Sequence, residues 1–178
     1  MSKWAVIALG CAFCCAALAG SQTNPPLQHE QREFSAEDAA VNHPVALPAD
    51  VEELLTRDER VRAVIENALP EIKRFPTRWF SASIVHLAGA READLVVEGQ
   101  GKLRGANVIT FWVFRPTPRG HELILTAPAH DLIVEKKIQN GYKKLELVDM
   151  TAVIVHTAHW AFDGTQYKLI DEKRDGIK

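Results

Sequence analysis

The spacing of apolar positions changes character several times along this chain, and each change predicts a different kind of segment. Trp4 to Leu18 is an unbroken apolar run behind a single Lys3. From Ser21 to about Pro48 the chain is polar and proline-containing with no sustained period, which predicts a flexible arm over 20–48. The period then becomes helical. Asp50 with Glu53, and Thr56 with Glu59, have capping-box spacing and predict two successive helices. The second places Val61, Val64, Ile65, Ala68 and Leu69 on one face, with Arg57, Arg60, Arg62 and Glu66 mainly on the other, and Pro70 ends or kinks it.

From Arg78 onward the period is two, in runs rich in Val, Ile, Phe, Trp and Thr. Strands are predicted near 80–87, 94–98, 107–115, 121–127, 131–137, 143–149, 151–162 and 166–170. Asn140-Gly141 and Asp163-Gly164 have the chemistry of two-residue type I′ hairpin turns, and Pro116 to Gly120 predicts a longer hairpin loop. Phe111 and Val113 alternate with Trp112 and Phe114, so both faces of that strand are apolar and a central strand buried on two sides is expected. One face is expected to meet the helix carrying Val61 and Ile65, the other a sheet.

The strands also echo one another. Trp112-Val113-Phe114 followed by Leu123-Ile124 returns as Trp160-Ala161-Phe162 followed by Leu169-Ile170. Ile84-Val85 and Leu95-Val96-Val97 return as Ile133-Val134 and Leu145-Glu146-Leu147. An offset of about 50 residues is that of a four-stranded, blade-sized unit. The expected fold is α+β and predominantly antiparallel β: two blade-like four-stranded units forming a sandwich or open barrel, with an N-terminal helical pair, in a single domain over 49–178.

The opening run settles where the protein is expected to work. Lys3, the apolar stretch and the small-x-small Ala17-Leu18-Ala19 form a signal peptide over 1–19, shorter than the ~20 apolar residues of a membrane span. Cleavage predicts a periplasmic or secreted protein with no stable membrane span. Cys11, Cys14 and Cys15 are the only cysteines and all lie in that segment, so the mature chain has no disulfide. Cys11 is followed by more apolar residues rather than a polar linker, which argues against lipoprotein anchoring. Removing Lys3 leaves 20 basic against 23 acidic residues, and Lys136-Lys137 and Lys143-Lys144 flank a turn. No clustered positive stripe is implied, so nucleic acid is not an expected partner.

Asp94-Leu95-Val96-Val97-Glu98-Gly99, Gly105-Ala106-Asn107, Phe111-Trp112-Val113-Phe114-Arg115, Asn140-Gly141-Tyr142 and Phe162-Asp163-Gly164-Thr165-Gln166-Tyr167 together resemble a group of uncharacterised exported bacterial proteins. The first unit also resembles FG-GAP/VCBS-type β-propeller blades, in which an Asp-rich loop before such a strand holds calcium. Here the loop is His86 to Ala93 with the single carboxylate Glu92, so the calcium loop is not retained. The resemblance implies an architecture and no activity.

Candidate chemistry is sparse. His156-x-x-His159 has odd spacing, which sends the rings to opposite faces of a strand and away from a common ion. His130-Asp131 is able to orient an imidazole, but no motif ties a nucleophile to it. Ser81 and Ser83 lack the Gly-x-Ser-x-Gly elbow. Gly99, Gly101 and Gly105 are spaced one residue too far for a dinucleotide fingerprint and precede a β-rich run instead of a helix. Asp94, Glu98 and Glu92 do not form a recognisable carboxylate pair for glycoside chemistry without distances. The sequence therefore assigns no catalytic, cofactor-binding or metal-binding residue and expects no cofactor. The leading expectation is an exported non-enzymatic binding module for an unknown protein or glycan, such as an inhibitor or partner of an envelope or extracellular protein. The alternatives are a hydrolase acting on an envelope polymer or small ester, with His130 or His156 as base, and a structural envelope component.

Overall fold

The computed structural model describes residues 30–68, 74–90 and 92–176. The signal segment, the arm up to residue 29, and Leu69 and Pro70 at the end of the predicted second helix lie outside them. The elements run β1 (Glu33–Ser35), α1 (Ala49–Arg57), α2 (Glu59–Ala68), β2 (Phe80–Val85), β3 (Asp94–Gly99), β4 (Ile109–Thr117), β5 (Gly120–Ala129), β6 (Asp131–Gln139), β7 (Tyr142–Met150), β8 (Ile154–Phe162) and β9 (Tyr167–Gly176). All pairings are antiparallel: one sheet has the order β2-β3-β4-β5, the other β1-β6-β7-β8-β9. The α+β fold is thus a sandwich of two meanders with a helical pair. No helix among the described residues is long and apolar enough to cross a membrane.

Alternation along the strands builds two apolar layers. Val85, Val96, Phe111 and Val113 of the four-stranded sheet pack with Leu132, Val134, Leu145, Leu147 and Phe162 of the five-stranded sheet. The opposite side chains of the four-stranded sheet, Ala82, Leu95, Val97, Trp112 and Phe114, pack with Val51, Leu55 and Val61 of the helices. β4 is therefore buried on both faces, as its unbroken apolar run predicts. Among the described residues, no helix packs on the outer face of the five-stranded sheet.

The arm is the first correction. Residues 30–48 were expected to be loose, yet Glu33–Ser35 pairs with Asp131–Ile133, and Phe34 and Val41 are buried. Val45 bridges Ala82 on β2. The short stretch has no periodicity to read, and pairing with a neighbouring edge decides its conformation. The caps differ as well. α1 begins after Pro48 without a side-chain cap, and Thr56 Oγ1 donates back to Glu52 O at 2.8 Å. It is Asp58 that caps α2, its Oδ1 accepting from the N–H groups of Arg60 and Val61 at 2.9 and 3.2 Å.

The turns follow their sequences in part. Asn140 and Gly141 have φ of 51° and 82°, the paired positive values of a type I′ turn. Asp163-Gly164 belongs to a wider connection, closed by Asp163 N–H donating to Gln166 O at 2.9 Å. Asp163 Oδ1 accepts from Thr165 and Gln166, and these bonds hold its carboxyl down to about 2. The β4–β5 hairpin is tighter than predicted, because β4 runs on to Thr117 and β5 starts at Gly120.

Gly120 docks that hairpin on α1. It has φ of 125°, and a Cβ there would meet Asp50 Oδ2 at 2.6 Å. The same oxygen accepts from His121 N–H at 2.7 Å and lies 2.8 Å from its Nδ1. Gly120→Ala is expected to lower stability by ~1–3 kcal/mol through backbone strain and loss of this contact. Urea denaturation checks it, and a wild-type midpoint would mean the hairpin does not depend on the helix.

The four-strand meander occurs twice in the same order, β2 to β5 and β6 to β9. The residues equated by the sequence echo do not all face alike. Val85 and Val134 both enter the inter-sheet core, but Trp112 faces the helices while Trp160 packs against the inter-sheet core.

Candidate functional site

The outer face of the five-stranded sheet brings together side chains that the linear sequence separates. Register sets Ile133, Glu146, His159 and Asp171 in one row across β6, β7, β8 and β9. The next row is Asp131, Val148, Thr157 and Lys173. Beyond Val134 the β6–β7 register shifts, and Glu135 there reaches His159 across β7. His159 Nδ1 lies 3.0 Å from Glu135 Oε1 and 3.7 Å from Glu146 Oε2. The three ligand atoms all fall within 4.8 Å of one another. Glu135 is the most enclosed, its side chain 13 % exposed, and its second oxygen lies 3.9 Å from Lys137 Nζ. An imidazole and two carboxylates from three strands form a donor set for a divalent cation.

The sequence singled out His156 and His159 as the close pair and expected them to diverge. They do: His156 Nε2 pairs with Glu172 Oε2 at 3.3 Å, and His159 with the two glutamates. The missing information was the partner strands, because Glu135 and Glu146 become ligand candidates only once register is known.

The other candidates have structural occupations. His130 is buried at the corner joining β5 to β6; its N–H donates to Val148 O at 2.8 Å, its O accepts from Ala36 N–H at 2.7 Å, and its Nδ1 lies 2.9 Å from Asp131 Oδ1. Ser81 Oγ accepts from Val41 N–H at 3.3 Å, and Ser83 is buried. Gly101 sits under the Trp79 ring and Gly105 N–H donates to Val108 O, so the glycine segment is a loop leading into β4.

Asp94 and Glu98 are fully buried on β3. Alternation puts them on the side of Val96, at the two ends of the inter-sheet core. Asp94 Oδ2 accepts from Leu87 N–H at 2.8 Å, so this carboxylate folds the His86–Ala93 loop against the sheet. Burial pushes its carboxyl up to about 6 against these hydrogen bonds. Burial likewise pushes Glu98 up to about 7, with Arg104 opposing and Asp38 adding to the rise. Four residues along a strand is about 13 Å at ~3.3 Å per residue. Glycoside hydrolysis needs its carboxyl groups about 5 to 9.5 Å apart, so these two do not form that pair.

No family model, curated protein or solved structure matches this chain.

Proposed function

We propose that the chain is an exported binding module with no chemistry of its own, and that its ligand, a protein or glycan outside the cytoplasm, docks on the outer face of the five-stranded sheet. The asymmetry of the sandwich supports this reading. Helices cover the four-stranded sheet, while the outer face of the other sheet, which no helix covers among the described residues, carries the row Glu146, His159 and Asp171, with Glu135 beside it. Two carboxylates against one imidazole, with the acidic Asp171 next in the row, favour a partner that brings positive charge to the centre of the face. Export rests on the signal segment, and the mature protein is expected to lack Met1 to about Ala19, as intact mass of the exported material will read.

Docking is tested by capture from envelope extract with the mature domain as bait. Glu146→Lys is expected to lose the captured partner, while Glu66→Lys, on the exposed side of α2, retains it. Equal capture by both variants would remove the face from the interaction. Turnover of an envelope polymer or ester that disappears in His130→Ala or His156→Ala would replace the binding reading with the hydrolase.

A further inference from the structure

We propose that Glu135, Glu146 and His159 form a zinc-type divalent metal site, independent of whether a partner docks on the same face. The argument is geometric. Around an ion with bonds of about 2.0–2.1 Å, tetrahedral ligand atoms stand about 3.3 Å apart. The observed separations from His159 Nδ1, 3.0 Å to Glu135 Oε1 and 3.7 Å to Glu146 Oε2, bracket that value. The third pair is within 4.8 Å, so closing the set takes side-chain movements of about an ångström, with no strand displaced.

The scaffold favours this set over a chance surface cluster. The donors project from β6, β7 and β8, adjacent paired strands, so the backbone fixes their origins. His159 and Glu146 are direct cross-strand partners. Glu135 is mostly enclosed and lies on the far side of the register shift after Val134, the irregularity that brings a β6 carboxylate within reach of a β8 imidazole. Asp171 is the register partner of His159 on β9 and lies outside the three-donor set. One imidazole with two carboxylates suits a borderline first-row ion better than calcium, whose sites take oxygen from six to eight ligands. With three protein donors the ion keeps an open position, the arrangement of exchangeable rather than closed structural sites.

The test uses the exported protein stripped of metal with a chelator, titrated with zinc chloride by calorimetry, and with cobalt(II) to read coordination from visible absorption. Wild type is expected to bind one ion per chain, to melt several degrees higher with excess zinc, and to give the intense bands of a four- or five-coordinate cobalt site. His159→Ala and Glu146→Gln are each expected to weaken zinc by at least ~10-fold, whereas His156→Ala binds like wild type. Should His159→Ala fail to fold, Glu146→Gln decides, since it preserves shape and removes a charge from a half-exposed position. The proposal is overturned by wild type that neither binds nor melts higher with zinc, by Glu146→Gln with wild-type affinity, or by His156→Ala weakening zinc as much as Glu146→Gln.

Discussion

Replacing Trp112 by alanine is expected to destabilise the protein by ~3–5 kcal/mol, the range for deleting a large buried aromatic. Trp112 has no exposed surface and packs in the layer between the four-stranded sheet and the helices. Its ring meets Phe80 edge-on with centroids 5.7 Å apart. Its Nε1–H donates to Asp58 Oδ2 at 2.9 Å, while the other oxygen of the same carboxylate caps α2. The truncation therefore opens a cavity and also loosens the aspartate that starts the helix. Trp112→Phe should recover most of the packing and leave the loss of one hydrogen bond to a charged group, ~1.5–3 kcal/mol. Chemical denaturation of the two variants separates the contributions. A Trp112→Ala protein that melts near wild type would show that the helices do not depend on this layer.

Trp160 is a useful contrast, because the sequence treats the two tryptophans as equivalents. Trp160 is partly buried against the inter-sheet core and its Nε1 is enclosed without a partner. An indole N–H left in this state offsets part of the gain from burying the ring, so Trp160→Ala is expected to be the milder change. Sequence repetition could not distinguish them. A strand reverses its inward face with each residue, so an echo that is out of step by one position sends equivalent aromatics to opposite sides.

The same limit explains what else was legible. Period-two runs and Asn140-Gly141 located the strands and one turn because those signals are local. Two-sided burial of β4 was legible because Phe111 to Phe114 offers no polar face to turn outward. Strand β1 was not: Glu33-Phe34-Ser35 is too short for a pattern and exists by pairing with β6. The donor set was also invisible, since its members lie at residues 135, 146 and 159 and meet through two strand registers and one register shift. The burial of Asp94 and Glu98 was not legible either, because which face of β3 they share depends on how the two sheets pack.

Those two carboxyl groups give the protein an expected pH dependence opposite to the common one. Acid destabilises most proteins because native carboxylates are held by partners and must be protonated. Here burial raises Glu98 from 4.5 to about 7 and Asp94 from 3.8 to about 6, so the folded state prefers both protonated. A group raised on folding contributes stability that is complete below its unfolded value and is lost as pH rises through its folded value. For Glu98 the window runs from about pH 4.5 to 7, and a shift of this size corresponds to about 3 kcal/mol. Desolvation wins over Arg104 because Glu98 is fully buried, its Oε1 has no partner, and Gln100 Nε2 gives its other oxygen a single bond at 3.2 Å. Wild type is therefore expected to lose stability between about pH 4.5 and pH 7. Glu98→Gln, uncharged throughout, should flatten the profile and melt higher than wild type at pH 8, with little difference at pH 4.5. Comparing the two proteins at each pH cancels every contribution they share. Were Glu98→Gln less stable than wild type at pH 8, the ionised carboxylate would be held by Arg104 after all, and that pairing would outweigh the cost of burial.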